Sequence, residues 1–225
     1  MLPGSGSDER FIRSVFAGAL AGVGVELVAP PPRRGGDVVD GYRAALDAAG
    51  PEPVLVGGIS LGAHVAARWA AAAPPGRVAG LLLALPAWTG APSTAAPAAL
   101  AARLTAARAR AGGVAAALAA TAGAPPWLTA ELGRAWAGYG AGLAPALEAA
   151  ADEPAPTAAE LSGLDVPAGV AALVDDPVHP SGVARRWQAA LPRSALVTTR
   201  LATFGADPGA LGRATVLAWL RAAAG

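Results

Sequence analysis

The sequence predicts an α/β protein whose doubly wound, mostly parallel sheet carries an inserted helical cap. Three observations predict it: short runs of aliphatic and β-branched residues recur, helical patterns separate them, and one long Ala-rich stretch breaks the rhythm. The runs are apolar almost throughout instead of alternating, as in parallel strands covered by helices on both faces. Strands alternating with helices imply right-handed crossovers that stack helices on either side of one sheet.

Taken in order, the strand candidates are VELVAP (25–30), PVLVGGIS (53–60), VAGLLLALP (78–86), PAGVAALVDD (167–176) and ALVTTRLAT (195–203). Helices are expected over about 8–22, 37–49, 62–73, 180–190 and 208–223. Residues 88 to about 160 hold no convincing strand and read as several Ala-rich helices punctuated by Pro, as in APPW at 124–127. They form the cap of a single domain spanning residues 1–225, a length that suffices for a substantial core. Trp88, Trp127, Trp136 and Tyr139 lie in this stretch. They are candidates to line an apolar substrate pocket beneath the cap, with packing between cap helices as the competing role.

Composition narrows the function classes. Hydrophobic residues make up 54% of the chain and charged residues 15%, which excludes a disordered chain. A net charge of +1 with no Lys/Arg run leaves no electrostatic footprint for nucleic acid or an anionic membrane. The Arg33-Arg34 and Arg185-Arg186 pairs read as solvated surface. With no cysteine, disulfides, thiolate metal sites and cysteine nucleophiles are excluded together. The N-terminal MLPGSGSDERF has no signal-peptide pattern, and each Ala-rich stretch is interrupted before it could span a bilayer. The expectation is a soluble, cytoplasmic protein acting on a small molecule. No cofactor or metal is expected, because neither metal-ligand spacing nor a nucleotide-binding fingerprint occurs.

Gly58-Ile59-Ser60-Leu61-Gly62 is a G-x-S-x-G sequence, weak alone but here following the apolar PVLVG and preceding the helical AHVAARWAAAA. Strand, turn and helix in that order are what a nucleophile elbow requires. The sharp turn strains the serine, and the flanking glycines leave room for close neighbours.

Here the chain resembles the α/β-hydrolase family, over nearly its whole length. Leu2-Pro3-Gly4-Ser5-Gly6-Ser7 looks like the family's oxyanion loop, with Pro3-Gly4 where many members have His-Gly. By that match the backbone N–H groups of Ser5 and Leu61 form the oxyanion hole, aided by the N-terminus of the helix after Ser60. The strand that the family places before this loop is missing, so either the sheet is short or residues precede Met1. Asp175-Asp176-Pro177-Val178-His179-Pro180 resembles the family's acid turn, with Asp176 favoured as the triad acid and Asp175 second.

The resemblance fails at the histidine. The family carries it after the last strand, where this chain reads Thr203-Phe204-Gly205-Ala206-Asp207-Pro208. Alanine accepts no proton, and a carboxylate with an ordinary pKa near 4 is a poor base toward a serine hydroxyl. Only His64 and His179 remain. His64, four residues after Ser60, reads as structural, close to the nucleophile or packed behind it. His179 follows Asp176 on a loop expected at the same sheet edge as Ser60, which makes it the better candidate for a relocated base, with local loop stabilisation as the alternative.

The resulting expectation is a serine hydrolase or acyl-transfer enzyme for a small, largely apolar ester or thioester. Ser60 is its nucleophile, and Asp176 orients His179. Its rivals are a degenerate hydrolase that binds a small molecule or partner without turnover, and a reaction that uses the oxyanion hole without an acyl-enzyme. A serine without its usual base implies slow turnover of activated esters.

Overall fold

A computed structural model describes all of residues 1–225. In chain order the elements are α1 (Glu9–Ala21), α2 (Val38–Asp47), β1 (Val54–Ile59), α3 (Leu61–Ala72), β2 (Val78–Ala84), α4 (Pro97–Ala119), α5 (Pro126–Tyr139), α6 (Leu143–Asp152), α7 (Ala158–Ser162), β3 (Ala168–Leu173), α8 (Ser181–Ala190), β4 (Ser194–Thr199), α9 (Leu201–Ala206) and α10 (Gly209–Ala224). All neighbouring strands run parallel, in the order β1-β2-β3-β4.

Successive side chains of β2 point to opposite faces, and each face has its own core. Leu82 and Ala84 pack with Ile12, Val15 and Phe16 of α1 and Leu211 and Val216 of α10. Leu81 and Leu83 pack with Tyr42 of α2, Val65 of α3 and Trp187 of α8. With both faces covered, the strand has no side to leave polar, which is why it reads as an unbroken apolar run. The second core continues into the cap through Trp136 and Tyr139 of α5 and Leu143 and Leu147 of α6. The cap is helical as expected from Pro97 onward, and α4 bends where Gly112 and Gly113 leave helical geometry.

Two expectations for single elements fail. Residues 25–30 are no strand, since a strand needs a bonded neighbour about 4.8 Å away. The neighbour between them and β1 is reduced to Met1, whose amine donates to the Val28 carbonyl at 2.7 Å, and Leu2, which forms a lone parallel bridge to Gly58. A cavity of about 700 Å³, lined by Leu27, Val28, Val54 and Val56 among others, occupies the rest of that gap, and Val28 is 70% exposed. The run at 195–203 also ends as a strand at Thr199, and Leu201–Ala206 is helix where the end of that strand and the start of a loop were expected. Phe204 is thereby buried edge-on against Phe11 and Trp127, and that burial holds the helix in place.

No helix is long and apolar enough to cross a membrane, and no cluster of three or more His, Cys, Asp or Glu is arranged to hold a metal ion.

Candidate active site

Ser60 stands between β1 and α3 at φ 53° and ψ −113°, a positive φ that a non-glycine residue adopts only under constraint. The constraint is visible on both sides. Its N–H donates to Ala84 O at 2.9 Å, extending the β1–β2 ladder, and its carbonyl accepts from His64 N–H at 3.1 Å, opening the helix. The flanking glycines are sterically required. A Cβ on Gly58 would stand 2.6 Å from the Gly62 carbonyl carbon, and one on Gly62 would stand 2.8 Å from the Pro3 carbonyl oxygen. Ser60 caps nothing with its side chain, which leaves Oγ free, and helix geometry leaves the N–H groups of the first turn of α3 without intrahelical partners.

The loop after β3 sets a carboxylate and an imidazole side by side within four residues. Asp176 Oδ1 accepts from the N–H groups of Val178 at 2.7 Å and His179 at 3.1 Å, an Asx-type turn between Pro177 and Pro180. Asp176 Oδ2 lies 3.0 Å from His179 Nδ1, and His179 Nε2 lies 3.0 Å from Ser60 Oγ. Burial pushes the Asp176 carboxyl up. The hydrogen bond and charge of the His179 ring, with the two backbone donors, outweigh it and hold the group below its usual range. An ionised carboxylate only accepts, so Nδ1 carries the imidazole proton and Nε2 offers its lone pair to Ser60. The second choice of acid, Asp175, turns away and accepts from Leu201 N–H at 2.7 Å, at the start of α9.

His64 packs behind Ser60 and does not reach toward its hydroxyl. It is fully buried, its Nε2 accepts from Ala87 N–H at 3.0 Å, and its ring lies edge-on to Trp88 at 4.6 Å. Burial, with a smaller contribution from the charge of His179, pushes its pKa down to about 3. Asp207, which with Ala206 was expected near the place of the family's histidine, is half exposed, pairs with Arg213 and accepts from Gly209 N–H.

The oxyanion-type loop runs beside this group. Leu2 brackets β1 through Leu2 N–H to Gly57 O at 2.8 Å and Ile59 N–H to Leu2 O at 3.1 Å. Gly4 then lies against Ser60, where an added Cβ would stand 3.6 Å from Ser60 Cβ. The chain turns through Ser5 and Gly6, closed by Ser7 N–H to Gly4 O at 3.1 Å, with Gly6 at φ 67°.

The aromatic residues expected to line a pocket are mostly packing groups. Trp88, Trp136 and Tyr139 are 7%, 5% and 5% exposed. Trp88 holds His64 and accepts through its carbonyl from Trp187 Nε1, while Trp127 packs edge-on against Phe204. The cavity beside the N-terminal half of β1 includes neither Ser60 nor any of these aromatics. Large rings surrounded by a helical cap fill space before they can enclose it.

Sequence reasoning missed the ties between cap and loop. Arg134 of α5 reaches both carboxylate oxygens of Asp8, at 2.6 and 2.7 Å, and Tyr139 Oη donates to Ser7 O at 2.8 Å. These partners are 126 and 132 residues apart, and nothing in the local pattern marks either pair.

No protein-family model and no curated protein matches the sequence. Solved structures do match in fold. An esterase from Thermogutta terrifontis superposes with a TM-score of 0.69 at 20% identity, covering 98% of this chain and 88% of that one. An α/β hydrolase from Sphaerobacter thermophilus gives 0.60 at 19% identity, over 96% and 90%. An enol-lactonase from Burkholderia xenovorans gives 0.62 at 17%, over 88% and 81%. The fold is that of the α/β hydrolases.

Proposed function

We propose that the protein is a serine hydrolase or acyl-transfer enzyme acting on a small, largely apolar ester or thioester. The observation that carries the reading is the chain of two 3.0 Å contacts linking Ser60 Oγ to His179 and His179 to Asp176. The esterase and the enol-lactonase of the same fold lend it support through the ester chemistry their names describe.

Ser60 Oγ attacks the acyl carbon while its proton passes to His179 Nε2. Asp176, holding Nδ1–H, stabilises the imidazolium that forms. Negative charge developing on the acyl oxygen is met by the N–H groups of Leu61 and Ser5 and by the N-terminal dipole of α3. Collapse expels the alcohol or thiol, which takes the proton from Nε2. Water, or another acceptor in acyl transfer, then attacks the acyl-enzyme with His179 again as base. The case for a degenerate, binding-only protein rested on the missing C-terminal histidine, and that argument weakens once another imidazole stands within hydrogen-bonding reach of Ser60.

The test is hydrolysis of p-nitrophenyl acetate and butyrate. Ser60→Ala and His179→Ala are each expected to lose at least about 10³-fold in kcat, because nucleophile and base act as a unit. Wild type and Ser60→Ala turning over at equal rates overturns the proposal in favour of the binding protein.

A further inference from the structure

Loop 3–8 has little to hold it in place by itself. Beyond Leu2 its one internal backbone bond is Ser7 N–H to Gly4 O, and two of its six residues are glycine. Such a segment carries high chain entropy and needs outside restraint to keep one conformation. If Ser5 N–H is to meet an oxyanion, the next three residues must be immobilised.

One cap helix grips those three residues. Trp136 lies against Gly6, where a Cβ would stand 2.8 Å from the indole nitrogen. Tyr139 Oη holds the Ser7 carbonyl at 2.8 Å. Arg134 clasps Asp8 with two nitrogens on two oxygens, and Glu131 in turn orients the guanidinium, with Arg134 Nε at 2.9 Å from its carboxylate. Arg134 and Asp8 side chains are only 29% and 17% exposed, so the pair is partly shielded from water. A paired Arg–carboxylate fork fixes direction as well as distance, which a point charge does not.

We propose that Arg134 and Tyr139 are positioning residues that set the oxyanion loop from the cap. The inference rests on the hydrolase reading, since it acts through Ser5 on the Ser60 reaction. Reacting groups displaced by about 1 Å can cost about 10²-fold in rate, and the other side-chain hydrogen bonds of these residues, Asp8 Oδ1 accepting from the Arg10 and Phe11 N–H groups at 3.1 Å, tie the loop's end to α1 and leave its hold on the cap to Arg134 and Tyr139.

The variants are Arg134→Met, Arg134→Lys, Tyr139→Phe and the pair Asp8→Asn/Arg134→Met. The measurements are kcat and KM on p-nitrophenyl butyrate, and inhibition by a small alkylboronic acid, whose tetrahedral anionic adduct on Ser60 needs the oxyanion hole. Arg134→Met is expected to lower kcat by about 10- to 100-fold with KM within about threefold. Arg134→Lys should recover only part of the loss, and the double variant should be no worse than Arg134→Met. Boronate affinity should fall in step with kcat/KM across the series. Urea unfolding at the assay temperature establishes that each variant is folded, and Arg134→Lys and Tyr139→Phe keep the test open if Arg134→Met is not. Folded variants with wild-type kcat and wild-type boronate affinity overturn the inference alone. A wild type that neither needs Ser60 for turnover nor binds the boronate overturns the hydrolase reading instead.

Discussion

Acidification from pH 7 to 4.5 is expected to weaken the fold through His64, and His64→Gln should abolish most of that dependence. The ring is fully buried, and Nε2 must stay unprotonated to accept from Ala87 N–H. Protonation would place a charge in the core and set donor against donor. Burial accordingly holds the pKa at about 3. In the unfolded chain the group titrates near 6.5. Between these values the unfolded state binds a proton that the folded state refuses, so stability is full above about pH 6.5 and declines as the pH falls. The slope approaches one proton, about 1.4 kcal/mol per pH unit, or roughly 3 kcal/mol lost by pH 4.5. That is a large part of the 5–15 kcal/mol typical of a domain. The assay is urea unfolding at pH 7, 6, 5 and 4.5 for wild type and His64→Gln. The variant should start lower at pH 7 by about 1–3 kcal/mol, since the histidine's packing and acceptor are imperfectly replaced. The two curves should then converge as the pH falls. The Met1 amine, lowered by burial to about 6, contributes its own loss between pH 8 and 6, equally in both proteins. Asp8 and Asp176, both held below the usual carboxylate range, act only at lower pH. Curves that stay parallel from pH 7 to 4.5 would refute the reasoning.

The remaining predictions concern the elbow and the acid. Gly62→Ala should lose at least about 2 kcal/mol in urea unfolding and most esterase activity, because the obstacles to its Cβ are backbone atoms of Leu2 and Pro3 that side-chain repacking cannot move. Gly138→Ala, in α5 with nothing within 4 Å of the added Cβ, should instead gain about 0.5–1 kcal/mol. Asp176→Asn should lower kcat by about 10⁴-fold by withdrawing the carboxylate that fixes the imidazole tautomer. Asp175→Asn should leave kcat within about threefold, since an amide oxygen still accepts from Leu201 N–H.

Much of this site is local in the chain, and what is local was legible. Ser60 with its glycines lies within five residues at a strand–helix junction, and Asp176 and His179 lie within four, joined by a turn their own side chains close. Spacing therefore pointed to both halves before any tertiary contact was known. The aromatic residues show the opposite. Trp127, Trp136 and Tyr139 have the composition of a pocket wall, yet whether a large ring fills space or borders it depends on the elements opposite, here α9 and loop 3–8.

By itself the sequence determined a parallel sheet covered on both faces, because β2 has no polar side, and it determined the sharp strand–helix turn at Ser60, because only glycine fits at positions 58 and 62. Only the tertiary structure decided which histidine faces Ser60. Ser60 and His179 lie 119 residues apart, on loops that leave β1 and β3 on either side of β2, about 10 Å apart at two strand spacings. The Asp176 turn carries the imidazole across that gap, while helix α9 and the Asp207–Arg213 pair occupy the segment where the family carries its histidine. Strand order is a property of the whole sheet, so no window of sequence contains it.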